Sequence, residues 1–204
     1  MYKLSIFEEK DADKVLAFMR AHSFITLIGY DGEYPVATQV PVHVREDKSG
    51  IRLIGHVMKK TDHCTAFMAN ENVLALFTGA HAYISAAVYE KPAVASTWNY
   101  SSVQAKGTIR MMDTDETREV IKHLTNHYED PATSPAAFHK MTDEYIENNL
   151  KAISGFEISV TNLQNVFKLS QNHTNANREK IVANLSKAED SNALEVAQQM
   201  RENL

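Results

Sequence analysis

Residues 72–110 read NVLALFTGAHAYISAAVYEKPAVASTWNYSSVQAKGTIR. The apolar run Val73–Phe77 reaches Gly79, and a second, aromatic-rich strand pattern follows around Tyr83, Ile84 and Tyr89. A loop with Lys91 and Pro92 leads to Thr97-Trp98-Asn99-Tyr100, and an alternating segment then runs on to Arg110. Alternation of this kind marks half-buried strands. The single tryptophan stands where the last strand should start, between hydrogen-bonding side chains. That mixture suits a site for a flat, polar-rimmed ligand. It also suits a hairpin junction with Trp98 plugging the core, and the local pattern leaves both readings open.

Toward the N-terminus, Asp11 can cap a helix over 12–21, in which Val15, Leu16, Phe18, Met19 and His22 recur near helical spacing. Phe24–Tyr30 reads as a buried strand and Asp31-Gly32 as a hairpin turn. Tyr34–Val44 then forms one returning strand, with Pro41 at an edge or bulge. Ile51–Val57 is a third strand, and Thr61 caps a short helix from about Asp62 to Asn70 with Phe67 inward.

Toward the C-terminus, Asp113 and Glu116 form a capping box for a helix carrying Val120, Ile121, Leu124 and Tyr128. Thr142 starts another helix, which Gly155 breaks, and Phe156, Ile158 and Val160 alternate as a closing strand. There is no βαβ alternation and no glycine-rich dinucleotide turn. The expected class is α+β, mainly β with peripheral helices, over residues 1–170. A small antiparallel barrel, closed or split, fits best because closure removes exposed edges. Residues 171–204 form a C-terminal helical extension, with Ile181, Leu185, Leu194 and Val196 as sparse anchors on the barrel or on a partner subunit.

Composition bounds the function. The 204 residues are 44 % apolar and 23 % charged, with a net charge of -5 and no basic block longer than a pair. Such a chain is an ordinary globular domain, and its linear sequence displays no phosphate-backbone-binding face. Direct DNA contact therefore stays uncertain. Cys64 is the only cysteine, so no intrachain disulfide is possible, and no apolar run approaches the ~20 residues that span a bilayer. The expectation is a cytoplasmic protein without membrane contact.

The side chains show no nucleophile elbow, no Walker motif and no paired carboxylates, so no catalytic residue is assigned. His123 and His127 lie four apart on one helix face without the HExxH pattern, and no metal site is expected there. His56, His63 and His81 could converge only if the fold brings them together. Cys64 follows Lys59 and Lys60 in a helix's first turn, which can lower a thiol pKa, but no spacing ties it to a base and a buried structural role is the simpler reading. Lys59-Lys60-Thr61 before that helix is the one plausible anion site, its alternative being a solvated charged turn.

Four segments carry a resemblance. Gly55-His56-Val57-Met58-Lys59-Lys60 resembles a GH-x-x-(R/K) strand end, and Phe77–Ser85 an F-x-G-P-H-x-Y-I-S segment. Thr97–Tyr100 is similar to P-T-W-N-Y, and Phe167–Asn172 to F-K-L-S-Q-N-R. Together they resemble the PaiB-like FMN-binding negative transcriptional regulators, within the pyridoxamine-phosphate-oxidase-like split barrels. The resemblance implies an antiparallel FMN-binding split β-barrel and a homodimer with FMN in clefts built by both subunits. It makes Val36, Ala37, Thr38, Gln39, Val40, His56, Lys59, Lys60 and Thr61 candidate flavin contacts, with the two lysines and Thr61 at the phosphate. Tyr83, Ser85, Thr97, Trp98, Asn99, Tyr100, Lys168 and Gln171 join them. The chain departs from the pattern at Ala80, at Ser96 and at Ala86-Ala87-Val88, where an aromatic is missing. His173 stands in place of an arginine, which removes a permanent cation. Three roles are compatible with this reading. They are a flavin-sensing or flavin-carrying regulator, a flavin-dependent oxidoreductase, and a haem-handling protein using His56, His81 or His173.

Overall fold

The computed structural model describes residues 4–91 and 93–203; Met1–Lys3 of the lead-in, Pro92 of the expected loop and Leu204 lie outside them. Seven strands are described: β1 Phe24–Tyr30, β2 Pro35–Pro41, β3 His43–Asp47, β4 Gly50–Met58, β5 Asn72–Ile84, β6 Thr97–Met111 and β7 Ile153–Lys168. They form one antiparallel sheet in the order β2-β1-β5-β6-β7-β4-β3. Six α-helices accompany it: α1 Ala12–Ala21, α2 Asp62–Ala69, α3 Thr114–Tyr128, α4 Asp143–Leu150, α5 Asn175–Leu185 and α6 Ser191–Arg201. The chain divides into two compact units, one of residues 19–77 and 104–163, the other of residues 1–18, 78–103 and 164–204.

In the first unit, local chemistry sets two hairpins. Asp31 Oδ1 accepts from the amides of Glu33 and Tyr34 at 2.8 and 2.6 Å, Gly32 takes φ +106, and β1 and β2 pair from Tyr30↔Pro35 to Phe24↔Pro41. β3 and β4 close similarly on Asp47↔Gly50, with Gly50 at φ +112. The expected single strand over Tyr34–Val44 is two strands instead. Val42 turns its amide away from any ladder, donating to the Ser23 carbonyl at 2.9 Å, so β2 stays with β1 while β3 leaves to pair with β4. β2 and β3, separated by one residue, thus stand at opposite ends of the strand order, and the sheet is an open, split barrel. Gly55 permits the close approach this needs. A Cβ there would lie 2.9 Å from the Pro41 carbonyl oxygen and 2.7 Å from the Phe156 ring.

Leu27, Leu53, Phe67, Phe77, Phe156 and Ile158 fill this unit's interior. Full burial of each such side chain contributes about 1.5–3 kcal/mol. The expected capping box is present, with Asp113 and Glu116 each accepting from the other's backbone amide. Gly155, expected to break α4, lies within β7 opposite His56. α4 has already ended at Leu150, and the Gly155 amide donates to Thr117 Oγ1 at 2.9 Å, a contact with α3 that a side chain would crowd.

In the second unit, β5 runs unbroken through Gly79 to Ile84, where two strand patterns were expected; Tyr89 follows a 3-10 turn over Ala86–Val88. β7 extends to Lys168, well past Val160. Ile84, Leu169, Ile181, Leu185, Val196 and Met200 share one apolar cluster, which seats α5 and α6. Of the anticipated tail anchors, Leu194 is the exception, at 43 % exposed. No helix among the described residues is long and apolar enough to cross a membrane.

Candidate functional site

In the first unit, β2, the end of β4 and the start of α2 frame a cleft of about 240 Å³. Of the predicted residues, Thr38, Gln39, Val40 and His56 line it, joined by Pro41, Met58 and His63. The lining takes four consecutive residues of β2, Thr38 to Pro41, rather than one face of the strand. Val36 is buried on the core side of β2, and Ala37 is exposed but outside the lining. His56 is partly buried, and burial pushes its imidazole below the ordinary value, so the neutral ring is the form present at neutral pH. Its Nδ1 is buried without a hydrogen-bond partner among the described residues. An orphaned buried ring nitrogen costs free energy unless something else satisfies it.

The anticipated phosphate grip is divided. Lys59 Nζ donates to the Leu150 carbonyl at 2.9 Å, at the C-terminal end of α4. Thr61 caps α2, its Oγ1 accepting from Cys64 N at 3.3 Å and donating to the Met58 carbonyl at 2.8 Å. Lys60 is exposed and makes no hydrogen bond or ion pair among the described residues. His63 was absent from the predicted set. Thr61 Oγ1 lies 3.0 Å from its Nε2 and Asp62 Oδ1 3.2 Å from its Nδ1, which fixes the ring beside the cleft. The signal was available, since His63 follows the helix cap by two residues. Cys64 is buried beneath, and burial raises its thiol pKa, consistent with a structural role.

The second unit holds the remaining candidates. Trp98 is 53 % exposed and Tyr83 54 % exposed, so Trp98 does not plug the core. Their ring centroids are 5.7 Å apart, edge to face, with His81 at 5.9 Å from Trp98. These three rings line a hollow of about 370 Å³ whose far wall includes Leu185, Asp190 and Ala193 of the C-terminal segment. That wall had no sequence signal. Asn99 is fully buried, its Nδ2 donating to Ser170 Oγ at 2.9 Å. Lys168, its pKa lowered by burial, bonds Thr97 Oγ1 and donates to the Trp98 carbonyl at 2.9 Å. Gln171 closes its own turn, accepting from Leu169 N and donating to the Phe167 carbonyl. Ser85 accepts from Ala87 N to cap the 3-10 turn, and Tyr100 is half-buried on β6. His173 packs on Tyr89 with centroids 4.6 Å apart.

Comparison with known proteins places this geometry in a class. The fold matches the FAD and haem binding protein from Mycobacterium smegmatis at a TM-score of 0.59, with 14 % identity over 79 % of this chain and 73 % of that one. It matches the flavocytochrome Anf3 from Azotobacter vinelandii at 0.61, with 13 % identity over 82 % and 72 %. The protein is thus a split barrel of the kind that flavin-binding proteins use. Residues 1–162 match the family described as "Putative FMN-binding domain". Across all 204 residues the chain is 31 % identical to the protease synthase and sporulation protein PAI 2 of Bacillus subtilis, covering 98 % of it. The chain belongs to this PaiB-like FMN-binding family, and its cofactor is FMN.

Proposed function

We propose that this FMN-binding split barrel works as a homodimeric flavin sensor or carrier with a regulatory role, as the name of its Bacillus relative suggests. The observation that carries the reading is the first unit's cleft. A partly buried neutral His56, whose Nδ1 has no hydrogen-bond partner among the described residues, lines it with Thr38, Gln39 and His63, and the free Lys60 ammonium is nearby in sequence. Those groups suit the hydroxyls and phosphate of an FMN tail: neutral imidazole and amide for the ribityl chain, a cation for the phosphate.

When bound, FMN supplies the redox chemistry. The chain's part is to hold the tail and shield the ring. No carboxylate lines the cleft to act as a general base. The decisive measurement is the absorbance spectrum of freshly purified protein, followed by FMN titration with light scattering. Flavin bands and a mass twice that of the monomer are expected. A monomer that binds FMN would remove the homodimer while sparing the cofactor, and enzyme-like turnover of pyridoxamine phosphate would replace the sensor by an oxidase.

A further inference from the structure

A second hollow, of about 160 Å³, lies in the first unit and shares no residue with the His56 cleft. Its polar wall comes from three places. Arg20 and Ser23 stand at and just beyond the end of α1, His43 begins β3, and His123, His127 and Tyr128 come from the last turns of α3. The break at Val42 that separates β2 from β3 is what turns His43 toward α3. The His43 ring centroid is 4.4 Å from that of His123 and 6.5 Å from that of His127, and Tyr128 packs on His127 at 4.9 Å. Val42, Val44 and Leu124 supply the apolar part.

The wall is one-sided in charge. No carboxylate lines the hollow, and Arg20 makes no hydrogen bond or ion pair among the described residues. Burial, His123, His127, Arg20 and Arg45 all hold the His43 pKa down, so the groups facing this imidazole repel its proton. Among the described residues no group of three His, Cys, Asp or Glu side chains is placed to hold a metal ion. An oxyanion, by contrast, would accept from the guanidinium, the hydroxyls and the imidazoles at once.

We propose that this hollow binds a small organic oxyanion, with its carboxylate or phosphate head on Arg20, Ser23 and the three histidines and a short hydrocarbon body against Val42, Val44 and Leu124. The site is independent of the flavin assignment. It gives the protein a second ligand, held by the guanidinium and the imidazoles.

The test uses FMN-saturated protein labelled with ¹⁵N-histidine, titrated with phenyl phosphate, with benzoate and with the neutral benzyl alcohol. Saturable shifts of the His43, His123 and His127 ring signals are expected with an anion and not with the alcohol. Tighter phenyl phosphate would mark a phosphate ester as the ligand, and tighter benzoate a carboxylic acid. Arg20→Gln should weaken binding by about tenfold or more. His123→Gln/His127→Gln, at exposed positions, should leave the melting temperature unchanged while weakening the binding of both anions. Equal binding of the alcohol, unchanged affinity in Arg20→Gln, release of FMN by the anion, or no saturable shift with either anion would each overturn the proposal.

Discussion

Asn99 and Ser170, seventy-one positions apart, meet in the interior of the second unit, where Asn99 Nδ2 donates to Ser170 Oγ at 2.9 Å. Ser170 holds a left-handed backbone, φ 62, to present its hydroxyl there, and Met200 Sδ of α6 completes the amide's surroundings at 3.4 Å. Lys168 ties the same two segments again through Thr97 and the Trp98 carbonyl. Two motifs that resemble ligand-binding signatures therefore bind each other. Their joint product is the placement of Trp98, exposed at the surface on a strand that is locked from beneath.

Asn99→Ala should accordingly cost stability. Removing the amide strands the buried Ser170 hydroxyl, a loss of about 1–3 kcal/mol. Chemical denaturation measures it. A variant of unchanged stability that has lost FMN would instead make Asn99 a direct flavin contact.

The two neighbouring lysines should separate by function. Lys60→Ala removes the free cation and should weaken FMN by about 1.5–3 kcal/mol, roughly ten- to a hundredfold, while riboflavin, which lacks the phosphate, is little changed. Lys59→Ala removes a bond to the carbonyl end of α4 and should lower stability by about 0.5–1.5 kcal/mol. Parallel titrations with the two flavins decide the assignment. If Lys59→Ala alone discriminates FMN from riboflavin, the roles are reversed.

Gly107→Ala should be the most damaging single methyl in the sheet. Its Cβ would fall 2.3 Å from the Ser159 carbonyl oxygen and 2.8 Å from Ile158 Cγ2, so backbone must move. About 3 kcal/mol or more is expected from such overpacking against a rigid strand. Gly32→Ala is the contrasting control, with no atom within 4 Å but a φ of +106, and it should lose only about 1–2 kcal/mol through backbone strain. Thermal melts of the two variants, run side by side, rank them.

Acid should weaken the apoprotein through its shielded imidazoles. His56 and His43 both titrate below the ordinary value in the folded chain, so between that folded pKa and about 6.5 the unfolded chain binds more protons. Stability is therefore full above about pH 6.5 and is lost as the pH falls through the folded values. Denaturation midpoints at pH 7.5 and 5.5 should differ, and His56→Gln should narrow the difference. An unchanged gap in that variant would shift the acid sensitivity to other groups.

Local chemistry made much of this fold legible. The Asp31-Gly32 turn, the Thr61 cap and the Asp113–Glu116 box each act within four residues, so the sequence displays them whole. The Val42 break did not show, because an amide that bonds Ser23 looks in sequence like one that bonds a strand. Gly79 suggested an interruption, yet packing carried β5 straight through it. The candidate site divided the same way. His56 was expected from its motif and Gln39 from the family resemblance, and both line one cleft, but the partners that occupy Asn99, Lys59 and Lys168 come from distant segments. The meeting of His43 with His123 joins residues eighty positions apart and left no local trace.

The two terminal strands of the sheet also constrain how copies of the protein can associate. β2 begins at Pro35 and ends at Pro41, neither of which has an amide to donate, while β3 carries Arg45, Glu46 and Asp47 as exposed charges along its short length. An incoming strand would find few donors on one border and a row of ions on the other. Extension of the sheet from molecule to molecule is thereby discouraged, which protects concentrated solutions against fibrillar stacking. Any specific pairing of subunits must instead be made through side-chain surfaces, where the exposed aromatic rings lie.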